Sequence, residues 1–278
     1  MEIRKWITHE LDVLWSLHVD GFERIIETNL DEILCSEEPV EFILAHLTQL
    51  RVPAGAHLVA PVDKQEIWAS GVTYERSREA RVEESKQGGD FYDLVYDAAR
   101  PELFFKCSPW RAVGANQPIR TRADSTWDVP EPELTVVINN VGHIIGATIG
   151  NDVSSRSIEG ENPLYLPQAK SYNGSCAIGP CIRLFDQGFS LPDLRDIVIT
   201  LIIHRGGLEV FTGQTTTATM KRRADDLAEW LCREMSFPYG ALLMTGTGIV
   251  PDLPYTLEKG DVVTISMSYI GVLTNIVH

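Results

Sequence analysis

The residues most ready to do chemistry in this 278-residue chain are carboxylates. In the stretch Trp127-Asp128-Val129-Pro130-Glu131-Pro132-Glu133-Leu134-Thr135-Val136-Val137-Ile138, strand alternation puts Glu131, Glu133 and Thr135 on one face. Leu134, Val136 and Ile138 take the other, which gives the strand an apolar face to bury. Asn139-Asn140-Val141-Gly142 is turn-like, and a second strand from His143 to Ile149 ends at Gly150-Asn151-Asp152. A hairpin with a two-residue loop would set Asp152 opposite residue 127 or 129. Either is an odd position, so Asp152 joins Glu131 and Glu133 on one face. A three-residue loop reverses that face unless a bulge corrects it. Clustered carboxylates repel one another and stay ionised together only when a cation neutralises them. All-oxygen ligands suit a hard divalent ion, Mg²⁺ first, with Mn²⁺ or Ca²⁺ as substitutes. The alternative is a solvated acidic edge strand.

The elements that must position these residues are mostly strands. RKWITH, LWSLHV and FERIIET, with Asp20-Gly21 before the third, read as short strands joined by turns. EEPVEFILAHLTQL has helical apolar spacing with Pro39 near its start. A break at Val52-Pro53-Ala54-Gly55 precedes a strand at Glu66–Val72, and the main boundary falls near residue 62. Residues 1–62 are then a small N-terminal α/β domain and 63–278 a catalytic domain. The charged stretch 76–100, with Gly88-Gly89 inside it, suits either a mobile lid or a solvated surface helix. Strands and turns follow to about residue 215. A helix from Met220 to Ser236 is expected to bury Leu227, Trp230 and Leu231. The C-terminus, LEKGDVVTISMSYIGVLTNIVH, alternates like paired strands. Strands without regular helix crossovers predict a β-rich α+β fold with a mainly antiparallel core.

Composition removes several classes. Lys plus Arg is 24 against 39 Asp plus Glu, a formal net charge of −15, which disfavours nucleic acid as a partner. No apolar run approaches the roughly 18 residues of a membrane helix. The opening MEIRKWITHELDVLW lacks the apolar core and cleavage site of a secretory leader. Five scattered cysteines, none in a C-x-x-C pair, are a poor disulfide framework and indicate a cytoplasmic protein with reduced thiols.

The order of motifs resembles the fumarylacetoacetate hydrolase superfamily. Glu131-Pro132-Glu133 is followed by Gly150-Asn151-Asp152-Val153-Ser154-Ser155-Arg156, then Lys170, then Gly179-Pro180. Pro101-Glu102-Leu103-Phe104-Phe105-Lys106, Thr217-Ala218-Thr219-Met220, Lys259-Gly260-Asp261 and Gly271-Val272-Leu273-Thr274-Asn275 also match, in order, from about residue 66 to the end. The resemblance implies a mixed β-sandwich roll and a homodimer or homotetramer. It implies a divalent metal on Glu131, Glu133 and Asp152, and a small-molecule 2-oxo acid substrate that chelates it. Lys170 becomes the pocket lysine, Lys106 a neutraliser of substrate charge and Thr217 a binder of substrate oxygens. Arg156 is read as anchoring the loop after Asp152.

Two departures separate this chain from the hydrolytic members. Their N-Y-x-x-H stretch is here Thr73-Tyr74-Glu75-Arg76-Ser77, with Ser77 at the histidine. Their G-T-P-x-G is here Gly246-Thr247-Gly248-Ile249-Val250. Both weaken a water-attack mechanism. The stretches around Trp127–Glu133 and Gly160–Lys170 look instead like the sugar-acid dehydratase branch, which converts 2-keto-3-deoxy-pentonates such as 2-keto-3-deoxy-D-arabinonate to 2,5-dioxopentanoate. Lys170 is then the preferred base at C3. Glu75 or Glu79 supplies further acid or base, and Arg76 or Arg78 helps bind the anion. The competing readings are an acylpyruvate-type hydrolase or oxaloacetate decarboxylase, and a non-catalytic 2-oxo acid binder.

Overall fold

A computed structural model describes residues 1–76, 94–251 and 254–278. Ser77, Arg78 and Glu79, with the lid expected of that stretch, lie outside the described residues. The strands in chain order are β1 (Glu2–Ile7), β2 (Val13–Val19), β3 (Phe22–Ile26), β4 (His57–Leu58), β5 (Glu66–Gly71) and β6 (Glu102–Cys107). Then come β7 (Pro118–Ile119), β8 (Asp128–Val129), β9 (Pro132–Ile138), β10 (Ile144–Asp152), β11 (Ser154–Ser155) and β12 (Cys176–Leu184). The last are β13 (Val198–Arg205), β14 (Leu208–Thr216), β15 (Ala241–Met244), β16 (Val262–Met267) and β17 (Gly271–Val277).

Among the described residues the larger sheet runs β3-β2-β1-β12-β10-β9-β15-β5-β6, with β4 on β1. A five-stranded sheet runs β14-β13-β16-β17-β7, and β8 pairs with β11. Most pairs are antiparallel, but β15 with β5 and β17 with β7 are parallel, so both sheets are mixed. Leu134, Val136 and Ile138 of β9 pack toward Ile199, Leu201 and Ile203 of β13 and Val263 and Ile265 of β16, in one core cluster. That cluster fills the space between the two sheets. The opposite face of β9 is covered as well: Val137 belongs to a second cluster with Ile3, Trp15, Leu30 and Met244. The carboxylate face is therefore buried, not the solvated edge that alternation alone permits.

Local rules account for most elements. Asp20 and Gly21, with φ of 50° and 78°, form the two-residue turn between β2 and β3 that the Asp-Gly pair predicts. Pro39 opens the helix Pro39–Ala45, which is shorter than its apolar pattern. The stretch before it is not all strand, because Asn29 caps a helical turn, Leu30–Cys35, by accepting from Glu32 N. The helix expected over 220–236 is only Ala224–Cys232. Its start is displaced because Lys221 N donates to Thr73 O and Met220 bridges Tyr74 in an extended conformation. Its buried stripe is Leu227, Ala228 and Leu231. Trp230 is only half-buried, with Arg100 and Arg233 stacked on its ring.

The hairpin β9–β10 carries the main register finding. Ile138 faces Ile144, so the connection has five residues rather than two. An odd loop of this kind turns the carboxylates and Asp152 to opposite faces. A register shift between Ile144 and Gly146 inserts one extra residue, after which Gly150 faces Glu133. Asp152 N then donates to Glu131 O at 2.9 Å, so its partner is residue 131 and not 127 or 129. The face is the one expected; the bulge restores it.

Leu134 is fully buried between the sheets. Leu134→Ala should lower unfolding free energy in urea by about 2–5 kcal/mol, the usual range for such a deletion. Phe22→Ala, at a side chain 66% exposed, should change it by no more than about 0.5 kcal/mol.

Candidate functional site

Glu131, Glu133 and Asp152 are 3%, 2% and 1% exposed. One carboxylate oxygen from each lies within 4.8 Å of the others. Three cations are buried against them. Lys170 Nζ donates to Glu131 Oε2 at 2.7 Å, to Asp152 Oδ2 at 3.1 Å and to Ser154 Oγ at 2.5 Å. Arg156 Nη2 donates to Glu131 Oε1 at 2.5 Å. Lys106 Nζ lies 2.5 Å from Asp152 Oδ1. Glu133 Oε2 accepts from the Gly246 amide at 2.6 Å.

Each position follows from an element. Lys170 ends a short helical turn, Leu166–Lys170, entered through Pro167. Arg156 begins the helix Arg156–Glu161, directly after the β11 pairing with β8. Lys106 sits on β6, and its ammonium also donates to the carbonyls of Val153 (3.2 Å) and Lys170. Its ammonium is thus surrounded by three protein oxygens, from Asp152, Val153 and Lys170. Thr217 is buried, and its Oγ1 accepts from Ile197 N at 2.9 Å. It lines a cavity of about 540 Å³ with Arg195, Met220 and Arg222. The structure does not place it in direct contact with the carboxylates. Glu75, exposed, and Arg76, half-buried, follow Tyr74 at the edge of the described residues.

The donor set fits a hard divalent cation. All three groups are carboxylates, and each has one oxygen held from outside, by Arg156, Lys106 or the Gly246 amide. The second oxygens of Glu131 and Asp152 converge on Lys170 Nζ. Glu133 has no lysine or arginine within ion-pair distance among the described residues, and its carboxyl is pushed well above its ordinary 4.5. Burial is the main cause, followed by the charges of Asp152 and Glu131; Lys170 and the Gly246 amide oppose it. This carboxyl is thus short of positive charge.

Residues outside the sequence reading also belong here. Lys170 Nζ lies 5.6 Å from the Phe104 ring centroid, and Ser154 Oγ completes its contacts. Alternation alone does not place Phe104 with Lys106, because the β5–β6 register shifts between Phe105 and Cys107 and leaves Lys106 as the extra residue.

The fumarylacetoacetate (FAA) hydrolase C-terminal family profile matches residues 66–278. The chain belongs to the fumarylacetoacetate hydrolase family. The probable 2-keto-3-deoxyxylonate dehydratase of Haloferax volcanii is 48% identical over 219 residues, covering 79% of this chain and 74% of that protein. The 2-dehydro-3-deoxy-D-arabinonate dehydratase of Saccharolobus solfataricus is 44% identical over 219 residues, covering 78% and 72%. A solved apo form of 2-keto-3-deoxy-D-arabinonate dehydratase superposes with a TM-score of 0.87 at 34% identity, covering 100% of this chain and 98% of that one. A structure of 2-keto-3-deoxy-D-arabinonate dehydratase complexed with magnesium and 2,5-dioxopentanoate gives 0.84 at 33%, with the same coverage.

The Glu133 shift sets a pH dependence. Native Glu133 holds its proton to higher pH than the unfolded chain does. In the window above 4.5 the native state therefore binds more protons, and its stability falls as pH rises. EDTA-treated protein should lose this contribution between about pH 5 and its native titration. Added Mg²⁺ competes with that proton, so the Tm gain it produces should be larger at pH 8 than at pH 5.5 in a thermal-shift assay. An equal gain at both values would count against Glu133 as a ligand.

Proposed function

We propose that this protein is a Mg²⁺-dependent dehydratase of 2-keto-3-deoxy sugar acids, releasing 2,5-dioxopentanoate from a pentonate such as 2-keto-3-deoxy-D-arabinonate. The observation that carries the reading is the buried trio Glu131, Glu133 and Asp152 with Lys170 Nζ set between two of them. The two dehydratases that match most of the chain support it. So does the dehydratase structure that contains magnesium and the product.

Glu131, Glu133 and Asp152 would hold the ion. When bound, it supplies electron withdrawal from a chelated 2-oxo acid, which acidifies the hydrogens at C3. The remaining steps fall to side chains. Lys170 shares Glu131 Oε2 and Asp152 Oδ2 with the ligand set; with those oxygens engaged, its amine is released to take a C3 proton. Arg156 and Lys106 keep Glu131 and Asp152 oriented, each by the oxygen turned away from Lys170. Ser154 Oγ keeps the Lys170 nitrogen in place. The carboxylate of the substrate adds a negative charge to a buried site, and Arg76 and Thr217 remain proposed contacts for it, with Glu75 a proposed proton carrier.

The family match begins at residue 66, which supports a catalytic unit from about residue 63 and a small N-terminal unit before it. Five free cysteines support a reducing cytoplasmic compartment. Assembly as a homodimer or homotetramer is carried over from the family resemblance. Among the described residues, no helix is long and apolar enough to cross a membrane.

Activity should disappear with EDTA and return with Mg²⁺ or Mn²⁺. Dehydration of 2-keto-3-deoxy-arabinonate should outrun cleavage of acylpyruvates. Faster acylpyruvate cleavage would replace this reading with the hydrolase one. Lys170→Ala should lower kcat by about 10²-fold or more, and Lys170→Arg should not rescue it, because a guanidinium cannot accept the proton. Exchange of the C3 hydrogens with D₂O, followed by NMR, should vanish in Lys170→Ala. Exchange at the wild-type rate would assign the step to another group.

A further inference from the structure

Strands β5 and β15 run parallel, with Ala69 beside Met244, so both leave the sheet at the same end. Past that end their chains meet again. Val72 has a φ of 55°, a left-handed conformation that β-branched residues rarely adopt and that persists only where its surroundings fix it. The turn made there brings Thr73, which is fully buried, back onto the end of β15. Thr73 Oγ1 donates to Thr245 O at 2.7 Å.

The carbonyl of Thr245 and the amide of Gly246 belong to one peptide group. In a trans peptide they point in opposite directions. The amide end donates to Glu133 Oε2 at 2.6 Å. A single line of hydrogen bonds therefore runs from the Thr73 hydroxyl, through this peptide, to the Glu133 carboxylate. Donation to the carbonyl polarises the peptide and strengthens its N–H as a donor, the more so in a buried site.

Every other part of the line is fixed. Thr245 N and Thr245 Oγ1 both donate to Leu134 O, at 3.0 and 2.8 Å, which anchors the peptide beside Glu133 on β9. Lys221 N donates to Thr73 O at 2.9 Å. Gly246 has a φ of 91°, and a Cβ there would stand 2.0 Å from Thr73 Oγ1, so the approach of the hydroxyl requires glycine. At the other end, the Gly246 amide is the one hydrogen-bond donor to the Glu133 side chain among the described residues. Glu131 and Asp152 are steered by Arg156 and Lys106; Glu133 is steered by this peptide alone.

Resting on the reading of Glu131, Glu133 and Asp152 as a metal site, we propose that Thr73 is a positioning residue for Glu133. Its hydroxyl fixes the Thr245–Gly246 peptide, and the amide of that peptide sets the carboxylate for the divalent ion. Thr73 touches neither ion nor substrate. Groups that orient metal ligands from outside typically carry about 10- to 100-fold in metal affinity.

The test compares Thr73→Val, which keeps the shape and removes the hydroxyl, with Thr73→Ser, which keeps the hydroxyl. Ile265→Val, in the core between the sheets, is a control that lowers stability without touching the line. Each protein is titrated with Mn²⁺ and followed by electron paramagnetic resonance, with urea unfolding in EDTA as the measure of stability. Thr73→Val should bind Mn²⁺ about tenfold or more weakly than wild type. Thr73→Ser should stay within about threefold of wild type, and Ile265→Val should match it. If Thr73→Val does not fold, Thr73→Ala takes its place with the same expectation. Wild-type Mn²⁺ affinity in the variant without the hydroxyl overturns the assignment. So does a loss in Thr73→Ser as large as in Thr73→Val, which would assign the effect to the methyl group. An equal loss in Ile265→Val also overturns it, because affinity would then follow stability alone. If wild-type protein binds no Mn²⁺, the metal reading itself falls, and the role of Thr73 with it.

Discussion

Six ionisable side chains, three of each sign, are buried together at the centre of this molecule, and the structure around them follows from keeping them there. Glu131, Glu133, Asp152, Lys106, Arg156 and Lys170 are each no more than 3% exposed. Removing one partner of a buried ion pair typically costs several kcal/mol, because the other charge is left without compensation. The arrangement is also incomplete by itself. Arg156, Lys106 and Lys170 serve Glu131 and Asp152, while Glu133 has a backbone amide and a raised tendency to hold its proton. A divalent cation would place positive charge beside Glu133, the one acid of the three with no ion-pair partner among the described residues.

That constraint explains why the carboxylate face of β9 is covered although it carries charge. Alternation along β9 sends Leu134, Val136 and Ile138 between the two sheets and the acids to the other side. There the segment before residue 62 contributes Ile3, Trp15, Leu30 and Ile33 to a second core. Asp63 fastens the junction: its Oδ2 accepts from Trp15 Nε1 and Leu30 N, and Lys5 pairs with Oδ1 at 2.6 Å. The first strands of the chain thus share the sheet that carries the site, through β1 on β12. Water exclusion around the acids follows, and with it the strength of every charge interaction among them.

The separation of roles is spatial. One oxygen of Glu131 is tied to Arg156 and one of Asp152 to Lys106. The remaining oxygens are shared by Lys170, which is held by hydrogen bonds to three acceptors and to no solvent-facing group. A lysine poised between two ligand carboxylates can exchange one set of partners for another without moving far. That geometry links occupation of the trio to the freedom of the lysine.

Much of this was legible in the residues. Period-two alternation placed Glu131 and Glu133 on one face, the Asp-Gly pair marked the β2–β3 turn, and the motif order identified the family, because all three depend on local sequence. The tertiary structure decided what local rules leave open. The β9–β10 loop length reversed the face and a bulge at residue 145 restored it, a choice made by the cores on both sides of the sheet rather than by the turn itself. Lys106 is surrounded by protein oxygens from Asp152, Val153 and Lys170, residues far away in the chain that no local rule brings together. Alternation is a property of one strand; which strands become neighbours, and what their side chains leave empty, is settled only when the whole chain packs.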